Sequence, residues 1–205
     1  MISGFLVKKG QMTSIYTEAG KRIAVTKCIA KPLTVTQIKN QEKDNYRAVQ
    51  VAYGQRKKLD NSTSVKLNKL KIEISPKGFQ EFDLISDQTP EIGSNISVDT
   101  VFTVGEEVDI TGISKGRGFA GVIKRHGFKK QPIRGSSDRV RHPGSIGAQT
   151  PSKVVRGKKM PGHMGNINKT VENLKIISIN PENNEILISG SFPGHFNSWI
   201  TITKV

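Results

Sequence analysis

Gly116, Gly118 and Gly121 stand in the spacing G-x-G-x-x-G within KGRGFAGVIKRHGFKK, residues 115–130. Glycines so placed let a pyrophosphate approach the backbone where a helix begins. A dinucleotide site asks for more: a strand before the turn, a helix after it, a second parallel strand, and an acid about 20 positions on to hold the ribose. EEVDITGIS (106–114) reads as the strand, and GFAGVIKRHGF as a short helix with Ala120, Val122, Ile123 and Lys124 as its body, stopped by Gly127. The remainder is missing. Pro132, Gly135 and Pro143 follow with no apolar strand, and Asp138 lies in RGSSDRVRHP. The same glycines, with Lys115 and Arg117 before the helix and Lys124 and Arg125 on it, suit the phosphates of a nucleic-acid backbone through close backbone approach and charge-assisted hydrogen bonds. A nucleotide-dependent enzyme built on the three glycines is the alternative.

Other reactive residue types lack partners. His126, His142, His163 and His195 are the four histidines, and none has a second ligand at metal spacing. Ser136 or Ser145 near His142 could be a nucleophile and base, but no carboxylate is placed to orient the pair, Asp138 being the local acid. Cys28 is the single cysteine, so no intrachain disulfide forms, and its alternating neighbours in IAVTKCIA mark it as a buried strand residue. Trp199 reads as a packed residue of the last strand. Phe119 and Phe128 are divided between packing the short helix and stacking on a base, with packing preferred. No catalytic residue, metal site, cofactor or small-molecule substrate is expected.

Charge says more than any of these. The 205 residues carry a net charge of +15. Residues 112–165 hold 13 Lys and Arg against Asp138 alone, a net of +12, together with 11 glycines and four prolines. Such a segment has little apolar surface with which to offset its ordering entropy, and its cations repel one another, so it is expected to be poorly ordered alone and to take shape around phosphates. No apolar run approaches the ~18 residues of a membrane span, and the polar residues after Gly10 do not continue a secretory signal. The expected location is cytoplasmic. A polyanion is the expected partner, either nucleic acid or, in a further alternative, an anionic membrane surface.

The elements that must carry these residues are mostly strands. MTSIYT, a turn at 18–21 and RIAVTKCIA form a hairpin; LTVTQIK and YRAVQVAYG form another; LKIISI, a turn at 181–184 and EILISGSF form a third; SWITIT closes the chain. Residues 66–74 are ambiguous, fitting strand alternation in part and helix spacing in part. The expected fold class is mainly β: an antiparallel barrel from residues 1–111 and 166–205, with an insertion at about 40–100 and residues 112–165 extruded as a long excursion.

VDITGISKGRGFAGVIKRHGF (108–128) and RHPGSIGAQTPSKVVRGKKMPGHMGN (141–166) resemble the signature stretches of the large ribosomal subunit protein three family, bacterial type. KKGQMTSIYTEAG (8–20), VTQIKNQEKDNYRAVQV (35–51) and TVENLKIISINPENNEILISGSFPG (170–194) continue the resemblance, which is weakest over 55–80. It implies a translation-protein-like barrel with a small α+β insertion, and an internal extension that penetrates large-subunit rRNA toward the peptidyl transferase centre. It also implies direct rRNA binding early in assembly, neighbouring large-subunit proteins as partners, and no chemistry of its own; an extraribosomal nucleic-acid binder is the rival. The rRNA contacts it implies are Lys115, Arg117, Lys124, Arg125, Arg139, Arg141, His142, Lys153, Arg156, Lys158, Lys159, His163 and Asn166, with a tip near 144–151 and possible methylation at Gln149. The chain is one residue shorter than the family pattern between Gly147 and Gln149, and has Ser152 and Pro161 where Gly and Ala are common.

Overall fold

A computed structural model describes residues 2–18, 20–85, 89–135, 138–150 and 152–205. Among them are strands β1 (Gly4–Tyr16), β2 (Arg22–Ile29), β3 (Leu33–Lys39), β4 (Ala48–Tyr53), β5 (Gly78–Asp83), β6 (Asn95–Ile96), β7 (Glu107–Ile113), β8 (Phe119–Ala120), β9 (Gly162–His163), β10 (Asn168–Asn180), β11 (Glu185–Ser189) and β12 (Trp199–Lys204). Four short helices join them: α1 (Gln41–Asp44), α2 (Asn61–Lys69), α3 (Val98–Val101) and α4 (Val122–His126). The chain divides into two compact units, Met1–Ile113 with Asn168–Val205, and Ser114–Ile167.

The larger unit is built from alternation. In β7, Val108, Ile110 and Gly112 are buried while their neighbours are not; Ile186 and Ile188 of β11 and Ile200 and Ile202 of β12 repeat the pattern. A period of two puts those side chains on one face of a pleated strand, so each strand has an apolar side that must be covered. Six strands do this for one another in the order β1-β12-β7-β10-β11-β2, with β2 pairing back onto β1, so the ladder closes on itself. Phe5, Val7 and Cys28 join those isoleucines in one buried core cluster. Burial pushes the Cys28 thiol up to about 12, so it stays protonated at neutral pH as a packing residue.

β5-β4-β3-β6 form a second antiparallel sheet. It begins at Leu33, where LTVTQIK pairs with AVQVAY through the registers Thr34↔Ala52 to Lys39↔Ala48. Val35, Val49, Val51 and Phe82 of this sheet share one core cluster with Phe5, Ile110 and Ile202. The ambiguous stretch at 66–74 resolves as the end of α2: Leu67 is buried, Leu70 caps the helix, and Lys71 at φ 54 ends it. Trp199 packs as expected, edge-on to Tyr53 with ring centroids 4.8 Å apart.

Every strand pairing among the described residues is antiparallel. That removes the parallel βαβ unit that a dinucleotide turn requires. No described helix is long and apolar enough to cross a membrane.

Candidate nucleic-acid interface

The smaller unit opens and closes through two neighbouring peptides. The Ser114 N–H donates to the Ile167 carbonyl at 2.9 Å, and the Asn166 N–H donates to the Ser114 carbonyl at 3.1 Å. Gly165 makes this neck possible: its φ is +78, and a β-carbon there would lie 2.1 Å from the Lys115 carbonyl oxygen. Two residues further in, the Arg117 N–H donates to the Met164 carbonyl at 2.8 Å and the Met164 N–H to the Gly118 carbonyl at 2.9 Å. The ladder then continues as the ribbon of β8 and β9, with Phe119 opposite His163 and Ala120 opposite Gly162.

Directly opposed residues of an antiparallel pair lie on the same face, and successive residues on opposite faces. One face of the ribbon is therefore Ala120 with Gly162, and it is the packed one. Ala120 and Val122 are buried, and the Arg125 guanidinium lies where a Gly162 side chain would be. Arg125 Nη1 donates to the Met160 carbonyl at 2.7 Å, and His126 Nε2 lies 3.0 Å from the same oxygen. These contacts, with the left-handed Gly127 cap, hold α4, whose five residues are too few to be stable alone. The helix body is shorter than the sequence suggests, since Ala120 belongs to β8.

The other face presents Phe119 and His163 to solvent, Phe119 at 79% exposure. This corrects the expectation that Phe119 packs on the helix. Phe128 is half-buried, its ring centroid 6.2 Å from that of His126.

All thirteen expected RNA-contacting residues are exposed. Lys115, Arg117, His163 and Asn166 come together at the neck and ribbon, and Lys124 and Arg125 lie on α4. Arg139, Arg141 and His142 follow a turn in which the His142 N–H donates to the Arg139 carbonyl at 3.1 Å. Lys153, Arg156, Lys158 and Lys159 lie on a loop turned by Gly157, where the Lys158 N–H donates to the Val155 carbonyl. Among the described residues, none of Lys115, Arg117, Lys124, Arg125, Lys153, Arg156, Lys158 and Lys159 has a carboxylate partner; the ion pairs Lys27–Glu185, Lys175–Glu107 and Lys204–Glu106 lie in the larger unit. Unpaired cations repel one another, and an external anion would relieve that repulsion.

Ser145 donates its hydroxyl to the Gly147 carbonyl at 2.9 Å rather than to His142, and Ser136 lies outside the described residues. Among the described residues no three His, Cys, Asp or Glu side chains converge on a metal position. Gln149 is exposed, and its carbonyl accepts the Ser152 hydroxyl at 2.6 Å. Ser152 sits at φ 58, a conformation glycine adopts without strain. Pro151, at the end of the expected tip, is outside the described residues. Sequence reasoning passed over one basic feature of the larger unit: Lys8, Lys31, Arg56, Lys57 and Lys77 line a cleft with Trp199. They are spread over 70 positions that hold 16 Lys and Arg against 5 Asp and Glu, and of the five only Arg56 and Lys57 are neighbours in the sequence.

A family model described as ribosomal protein L3 matches residues 8–198. A curated relative, the large ribosomal subunit protein uL3 of Brachyspira pilosicoli, is 42% identical over 205 residues, which span 98% of this chain and 93% of the relative. The match runs through the closed ring of strands, the second sheet and the cationic unit alike, and the chain belongs to the ribosomal protein L3 family.

Proposed function

We propose that Ser114–Ile167 is the rRNA-binding arm of a structural constituent of the large ribosomal subunit. Membership of the family makes the protein a component of that subunit in the cytoplasm, associated with rRNA and with neighbouring ribosomal proteins, and not an enzyme. We read the six-stranded ring as the translation-protein-like barrel of the family and the sheet near residues 40–100 as its insertion. The arm in this reading reaches toward the peptidyl transferase centre, and the protein joins the subunit early in assembly. The thirteen exposed residues at the neck, on α4 and on the loops supply the contacts, and Gln149 is the position open to methylation.

The observation that carries the reading is the division of charge. The arm has 13 cations and one carboxylate, whereas the larger unit has 19 cations and 16 carboxylates. The cations of such an arm repel one another, and phosphates around it relieve that repulsion. If roughly eight of its cations meet phosphates, the logarithm of rRNA affinity falls with the logarithm of salt at a slope of about -6 to -7. Reversing Arg156, Lys158 and Lys159 to Glu is expected to flatten the slope by about 2 to 3 and to leave the melting temperature of the free protein nearly unchanged. Filter binding to in vitro transcribed large-subunit rRNA across a salt series measures the slopes and a thermal melt the stability, and a wild-type slope near zero would remove the electrostatic account.

A further inference from the structure

We propose that Phe119 is a stacking platform for an unpaired base, held on the ribbon face that it shares with His163. This rests on the rRNA-binding reading and adds to it a contact made through a π face rather than through charge. Three features of the fold lead to it.

The first is cost. Phe119 is 79% exposed although β8 pairs it into a ladder and although Ala120, the next residue, is buried. A phenyl ring left in water forfeits one of the largest burial gains available to a side chain. The second is rigidity. The ribbon is only two residues per strand, but it is extended on one side by the Arg117–Met164–Gly118 backbone bonds and clasped from behind by Arg125 against Gly162 and Met160. Phe119 therefore points outward by register and cannot turn into a core that lies on the other face. The third is surroundings. Between Ser114 and Arg134 the chain carries Lys115, Arg117, Lys124, Arg125, Lys129, Lys130 and Arg134 and no carboxylate. An apolar pocket of a protein partner would have to accept that charge, whereas an RNA strand brings phosphates for the cations and a flat ring for the phenyl group in one ligand. Base-on-aromatic stacking tolerates any base, because each has a π face.

The test is the affinity of the full chain for in vitro transcribed large-subunit rRNA, with Phe119→Ala, Phe119→Leu and Phe119→Trp measured across the salt series. Phe119→Ala is expected to weaken binding roughly 10-fold or more with the salt slope unchanged, because no ionic contact is lost. Phe119→Leu is expected to recover little and Phe119→Trp nearly all, with the new indole fluorescence quenched on binding relative to wild type. Three results would each overturn the platform: wild-type affinity in Phe119→Ala, a flatter slope in that variant, or full recovery by Phe119→Leu, which would point to apolar burial against protein or sugar. If wild type itself binds without salt dependence, the parent reading falls with it; if only the Phe119 variants behave like wild type, the platform alone falls.

Discussion

Single residues show how differently the two units treat charge. Glu106 is partly buried, which by itself raises a carboxyl pKa, yet the Thr103 N–H at 3.0 Å and the Lys204 ammonium at 3.0 Å outweigh burial and hold it below the usual range. A group whose folded pKa is depressed contributes stability above its unfolded pKa and loses it as pH falls through the folded value. Glu106→Gln is therefore expected to lower the melting temperature at neutral pH, by an amount matching about 1 kcal/mol for a pair still in contact with solvent. The difference from wild type should close on acidification through the carboxylate range, which a pH series of thermal melts would record. No arm cation has such a partner among those eight, and this contrast was visible in the residue counts. The outward aim of Phe119 was not. A phenylalanine among glycines gives no periodic signal, and its face is set by pairing with a residue 44 positions away.

Elements in the arm depend on contacts that glycine alone permits. At Gly165 an added methyl would collide with the Lys115 carbonyl and have to occupy the left-handed backbone already present there, a strain of about 1–3 kcal/mol before any clash is counted. Gly165→Ala is expected to spread the neck, misplace Arg117 and the ribbon, and reduce rRNA affinity severalfold while the main melting transition of the protein stays put. A drop in that transition comparable to a core mutation would show that the neck stabilises the larger unit instead. The strands β7, β11 and β12 were legible because their alternation is strict, and the turn at 181–184 because its residue types allow little else. α2 was not legible: one buried leucine in nine residues is too weak a stripe to outvote a strand pattern, and the packing of Leu67 decides it.

At the level of the whole molecule, the arm leaves and re-enters the larger unit between two paired residues. Ile113 and Asn168 face each other in the β7–β10 ladder, and paired Cα atoms lie about 4.5–5.5 Å apart. Replacing Ser114–Ile167 by a two-residue Asn-Gly turn should therefore give a folded protein with a cooperative melt and an rRNA affinity lower by at least two orders of magnitude; an unfolded product would mean that the arm belongs to the core. The amino-acid sequence by itself determined the charge division, the inward and outward positions of most strands, and membership of the family, because each is carried by residue order. Tertiary structure alone decided which ends meet. The ring closes where β12 pairs with β1, and the Lys9 ammonium reaches the Phe192 carbonyl at 2.6 Å across 183 positions. It also decided that Arg125 spends one donor on Met160 and that Phe119 faces out. Such outcomes depend on register between distant segments, where a shift of one residue turns every side chain to the opposite face.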